Sequence, residues 1–128
     1  MRKFLKSTAI LLGMTLIVFS CKKAGTGGAN TLVISPEHHG VAIKGATAYL
    51  KFDTKEQPGT EASDYDLVEI GEQKEDHIHV EGLKPGKYYI YCVGYDSTIF
   101  QIVKGGIPLT VKSKSGETMI SVPVTEGD

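Results

Sequence analysis

The stretch from His77 to Asp96, HIHVEGLKPGKYYIYCVGYD, limits what this chain can fold into more than any other. Ile78 and Val80 alternate with His77, His79 and Glu81, and farther on Tyr88, Ile90 and Cys92 alternate with Tyr89, Tyr91 and Val93. A period of two residues is the mark of a strand with one face in a core. Between the runs, Pro85 presets its own φ and Gly86 accepts the positive φ that the third position of a type II turn demands. Whether the two strands pair side by side or cross between two sheets depends on how many residues the turn absorbs, and the sequence leaves both open.

The rest of the chain repeats this pattern of short strand and turn. Leu32-Val33-Ile34 is an apolar run closed by Ser35-Pro36, and Gly45 to Phe52 alternates with Ala46, Ala48, Leu50 and Phe52 on one face. Asp53 to Asp66 is polar, contains Pro58-Gly59 and is expected to be the least structured part, with a short helical turn capped by Ser63. Ile107 to Lys112 and Thr118 to Val124 read as strands on either side of a Ser113-Lys114-Ser115-Gly116 turn. Six or seven such strands without an amphipathic helix predict an all-β sandwich over residues 31–126.

The N-terminus reads as an address. Arg2, Lys3 and Lys6 precede the apolar run Ala9 to Val18, which ends abruptly in Phe19-Ser20-Cys21. A basic start followed by a short apolar segment is an export signal, too brief for a spanning helix. Val18-Phe19-Ser20-Cys21 resembles the lipobox of bacterial lipoproteins, which implies cleavage after residue 20 and acylation of Cys21 as the membrane anchor. The segment 21–30, with KKAGTGGAN after the cysteine, reads as a flexible tether. It is similar to the tethers of Bacteroidota lipoproteins, in which export to the outer face goes with acidic residues soon after the cysteine; with none here before Glu37, that resemblance implies the periplasmic side of the outer membrane. Loss of the signal lowers the basic residues from 14 to 11 against 15 acidic ones, through Arg2, Lys3 and Lys6. The remaining chain has no arginine, which argues against nucleic acid as a partner. With Cys21 acylated, Cys92 has no disulfide partner and reads as a small buried hydrophobe.

Gly40-Val41-Ala42-Ile43-Lys44-Gly45-Ala46-Thr47-Ala48-Tyr49-Leu50, followed by Ile78-His79-Val80-Glu81-Gly82-Leu83-Lys84-Pro85-Gly86-Lys87-Tyr88, resembles the signature segments of carboxypeptidase-regulatory-like domains. That resemblance implies a single Greek-key sandwich of the transthyretin-like (prealbumin-like) type, in a family of mostly non-catalytic spacers and binding modules. His77-Ile78-His79 is also similar to the paired ligands of intradiol dioxygenases, which share the prealbumin-like sandwich, but the chain shows no matching tyrosine segment. Its end, Thr125-Glu126-Gly127-Asp128, lacks the Tyr-Arg-Gly-Ser of hydroxyisourate hydrolases. No serine sits in a G-x-S-x-G elbow. The expectation is a non-enzymatic, lipid-anchored binding or accessory module.

Two candidate sites follow from side chains. The four histidines fall in two pairs, His38-His39 and His77-x-His79. An H-x-H pair on a strand puts two imidazoles on one face, roughly 7 Å apart along the chain. With His38 or His39 completing the set, and Asp76 or Glu37 assisting, they form an expected Zn²⁺ or Cu²⁺ site; the alternative is four solvent-facing polar residues. Tyr89 and Tyr91 lie opposite Tyr88, Ile90 and Cys92, and as an exposed ladder they would stack on a glycan or a partner.

Overall fold

The structure, a computed structural model, describes residues 23–127. The expected export signal and Cys21, the expected acylation site, lie outside the described residues. Nine strands form two sheets: β1 (Thr26–His38), β2 (Val41–Ala42), β3 (Thr47–Phe52), β4 (Leu67–Ile70), β5 (Ile78–Leu83), β6 (Gly86–Asp96), β7 (Gln101–Val111), β8 (Ser115–Pro123) and β9 (Thr125–Glu126). The expectation of an all-β chain holds, and among the described residues the only helical piece is a 3₁₀ turn at Ala62–Asp64. No helix there is long and apolar enough to cross a membrane.

β1 is the centre of the first sheet. β5 runs antiparallel on one side of it, with Ile34 opposite Ile78, and β8 runs parallel on the other, with Ile34 opposite Ile120. Beyond the end of β5, β2 folds back as a hairpin that places Val41 opposite His38. The second sheet has the order β4-β3-β6-β7-β9. β5 and β6 therefore cross between sheets rather than pair. The Pro85-Gly86 turn makes that crossing: Gly86 has φ +151, and a side chain there would meet Ala24 at 2.8 Å.

Alternation explains the core. Leu32 and Ile34 of β1, Ile78 and Val80 of β5 and Val122 of β8 face Leu50 of β3, Tyr88, Ile90 and Cys92 of β6 and Val103 of β7. Each fully buried aliphatic side chain contributes roughly 1.5–3 kcal/mol through loss of contact with water. Cys92 lies fully inside, and burial pushes its thiol up to about 12, so it packs as a small hydrophobe. Tyr88 is buried with its hydroxyl paired, accepting from the Gly25 N–H at 3.0 Å and donating to the Lys84 carbonyl at 2.6 Å.

Strand order begins earlier than Thr31. Ala24 belongs to the core, β1 starts at Thr26, and Gly28 passes so close to β5 that a Cβ would lie 2.2 Å from the Leu83 carbonyl oxygen. The glycines expected to loosen this segment instead allow its close approach to β5. Pro36 likewise does not close the first strand. It stays in register with Val122 of β8, and β1 continues to His38.

The polar loop 53–66 is also more ordered than its composition suggests. Glu61, not Ser63, precedes the 3₁₀ turn and closes a capping box with Asp64. The Tyr65 hydroxyl donates to the Gly59 carbonyl at 2.7 Å, and Asp66 accepts from the Phe52 N–H at 2.8 Å. These bonds lay Tyr65 over the outer face of the second sheet.

Candidate metal centre

His38 is core-facing by strand parity. Leu32, Ile34, Pro36 and His38 occupy successive inward positions of β1, and His38 is only 3 % exposed where the two sheets reach their common end. A buried imidazole needs partners on both nitrogens. Nδ1 meets Asp96 Oδ2 at 2.7 Å and Nε2 meets the carboxylate of Glu126. Asp96 is the last residue of β6 and Glu126 the last of β9, so one ring joins three strand ends from both sheets.

Asp96 is itself held. Its Oδ1 accepts from the Thr98 hydroxyl at 2.6 Å and the Thr98 N–H at 2.9 Å. The Thr98 hydroxyl and then His38 hold its carboxyl down at about 2. The bond to Asp96 raises the pKa of His38; burial opposes that rise and Glu126 adds to it. Glu126 is lowered, first by its own backbone N–H and then by His38.

Consecutive strand residues point to opposite faces, so His39 would ordinarily turn away from His38. Instead His39 takes a left-handed backbone, φ 51, in the turn before β2. That conformation costs roughly 1–2 kcal/mol for a residue with a Cβ. It brings the His39 ring to 4.2 Å from the His38 ring, centroid to centroid. His38, His39 and Glu126 each offer a donor atom, and these atoms lie within 4.8 Å of one another.

One chemical state fits the contacts as they stand, and metal binding requires a second in which the Glu126 carboxylate gives up its direct contact with Nε2. With both ring nitrogens protonated, His38 is an imidazolium donating to Asp96 and Glu126. With Nε2 deprotonated, Asp96 keeps the proton on Nδ1, and Nε2 faces a position shared with His39 and the Glu126 carboxylate. A carboxylate on the far nitrogen of a ligating histidine fixes its tautomer and raises its basicity.

The structure does not gather the four histidines. His79 registers with Val33 on the outer face of the first sheet, whereas His38 points inward and lies about 13 Å farther along β1 than Ile34, the partner of Ile78. His77 and His79 do meet each other, with ring centroids 4.8 Å apart, and His77 Nδ1 contacts Asp76 at 2.8 Å. They line a shallow acidic cleft with Glu69, Glu72 and Glu75. Glu37, expected to assist, pairs with the Ser121 hydroxyl at 3.2 Å.

The tyrosine expectation is corrected. Tyr89 and Tyr91 do lie on the outer face of β6, but they are 9 % and 4 % exposed. Tyr65 from the 53–66 loop stacks on Tyr91 with ring centroids 5.7 Å apart and planes 9° from parallel, and Tyr49 packs beside both. Alternation assigns a face to each ring, but the loop that covers that face is far away in sequence. As folded, these rings offer no ladder to a glycan.

Asp96 and Glu126 carried no signal in the sequence. Only the continued inward alternation through Pro36 to His38 marked that histidine as buried. Comparison with known proteins adds no relative: no family model, curated protein or solved structure matches this chain.

Proposed function

We propose that this chain is a lipid-anchored, non-enzymatic module of the bacterial cell envelope that binds one divalent transition-metal ion, Zn²⁺ or Cu²⁺, at His38, His39 and Glu126. The observation that carries the reading is the convergence of three donor atoms within 4.8 Å, with Asp96 on the back nitrogen of His38. Two imidazoles and a carboxylate suit these borderline ions. A purely structural ion pair would need His38, Asp96 and Glu126 but would not need His39 beside them.

The lipid anchor rests on the Val18 to Cys21 motif, and a transthyretin-like Greek-key topology on the two segments that resemble carboxypeptidase-regulatory-like domains. Two packed sheets are compatible with that type. β1 runs from Thr26, at the end where Ala24 enters the core, to His38, a span of about 40 Å. Acylated at Cys21, the protein holds the metal centre away from the membrane surface, towards the periplasm.

Calorimetric titration of the purified protein with Zn²⁺ and Cu²⁺ at neutral pH tests the metal site. One equivalent should bind with micromolar or tighter affinity, and His39→Ala or Glu126→Gln should weaken it by about 10–100-fold. Equal binding by all three proteins would defeat the reading. Replacing Cys21 by Ser tests the anchor, since the variant should leave the membrane fraction.

A further inference from the structure

The end of the sandwich opposite His38 is the end from which the chain leads back to Cys21. Ala24 is buried there and donates its N–H to Asp53 Oδ1 at 2.9 Å, while the Gly25 carbonyl accepts from the Lys84 N–H at 2.8 Å. The Lys87 carbonyl accepts from the Asp53 N–H at 2.8 Å, and the Ser113 carbonyl accepts from the Asn30 side-chain amide at 2.7 Å. The β5–β6 and β7–β8 turns are thus tied to residues 24–30. Of the ten lysines among the described residues, five belong to this end: Lys23, Lys84, Lys87, Lys112 and Lys114, all exposed. The acids beside them are Asp53, which the Ala24 N–H engages, and Glu81 and Glu117, each three residues from a turn lysine. Lys55 and Glu56 offset each other, so this end keeps a positive excess.

The far end has the opposite sign. Asp96 and Glu126 meet His38, and Glu72, Glu75 and Asp76 lie between β4 and β5, against Lys44 and Lys74. β1 separates the two ends by about 40 Å, several times the Debye length of about 8 Å at physiological salt. Repulsion of the acidic end by an anionic surface is therefore screened when the lysine end touches that surface, even though the chain after the signal carries more acids than lysines. The length of chain outside the described fold says which surface this is. Lys22 and Lys23 alone separate Cys21 from Ala24, and three residue steps reach at most about 11 Å. Lipid on Cys21 brings the turn lysines within about a Debye length of the headgroups.

We propose that the lysine end docks on the anionic phospholipid headgroups of the membrane that carries the anchor, so that the domain stands upright on it. The inference rests on the acylation of Cys21 proposed above, and one experiment separates the two. The processed full-length protein is reconstituted into vesicles of phosphatidylcholine, with and without phosphatidylglycerol. An amine-acetylating reagent is added, and its rate at each lysine is read by peptide mass spectrometry. Phosphatidylglycerol should slow labelling of Lys84, Lys87, Lys112 and Lys114 by about fivefold and leave Lys44 and Lys74 unchanged. The protection should vanish in about 1 M NaCl, where the Debye length is about 3 Å. Lys112→Glu/Lys114→Glu should return Lys84 and Lys87 to the rate seen on phosphatidylcholine without changing the melting temperature. Equal rates in the two vesicles, or equal slowing at Lys44 and Lys74, overturns the inference while the anchor stands. A protein whose mass shows no acyl chain on Cys21 overturns the anchor reading first, and this inference with it.

Discussion

His38 and Asp96, 58 residues apart in the chain, meet at 2.7 Å between Nδ1 and Oδ2 at the end of the two sheets. The contact fastens the end of β1 to the end of β6, and Glu126 extends it to β9. Stability and the candidate ligand set thus share the same side chains.

The pH dependence of the metal-free protein follows from this sharing. The pKa of His38 is raised from 6.5, so its contribution is fully present below 6.5 and lost as pH rises through the raised value. That of Asp96 is lowered from 3.8 to about 2, so its contribution is present above 3.8 and lost as pH falls towards 2. Melting temperature should be highest between these limits and decline towards pH 8. His38→Gln should flatten the decline, and Asp96→Asn should lower the melting temperature at pH 5 by several degrees. A wild-type melting temperature that climbs from pH 6 to 8 would contradict the assignment.

Tyr65 covers Tyr89 and Tyr91, and its removal should be felt well beyond its own loop. Tyr65→Ala should cost about 3 kcal/mol in denaturant melts and make the two covered rings accessible to a fluorescence quencher. Burial pushes the Tyr65 hydroxyl up to about 12 and also raises Tyr88, Tyr89 and Tyr91. The contribution of Tyr65 is present below pH 10 and lost as pH rises towards about 12, and those of the other three are lost as pH rises through their raised values, so part of the tyrosinate absorbance should appear only as the fold opens. Unchanged stability in Tyr65→Ala would show that the loop is not seated as described.

Gly28 tests where order begins. With its Cβ position 2.2 Å from the Leu83 carbonyl oxygen, Gly28→Ala should destabilise the protein by ~1–3 kcal/mol. A free tether would tolerate the same change without a measurable shift in melting temperature.

What was legible in the sequence was local. The alternation of β5 and β6 and the buried face of Cys92 depend on neighbours in the chain, and both appear in the structure; the strands do break at Pro85, but Gly86 takes φ +151 at the start of β6 instead of the third position of a type II turn. What covers each face was not legible. Tyr65 reaches Tyr91 from another segment, Asp96 and Glu126 reach His38 from 58 and 88 residues away, and the glycine-rich stretch before Thr31 gave no sign that Thr26 and Asn30 register with Leu83. Reading Pro36 as a strand end broke the parity count two residues before His38, and that hid an inward-facing histidine behind an apparent polar turn.

The most direct test of the metal assignment is anomalous diffraction at the zinc edge from crystals of the protein grown with Zn²⁺. A peak about 2.0–2.1 Å from His38 Nε2, bonded also to His39 and Glu126, is the predicted result. A peak at His77 and His79 alone, or no peak while His38 still bridges Asp96 and Glu126, would contradict it.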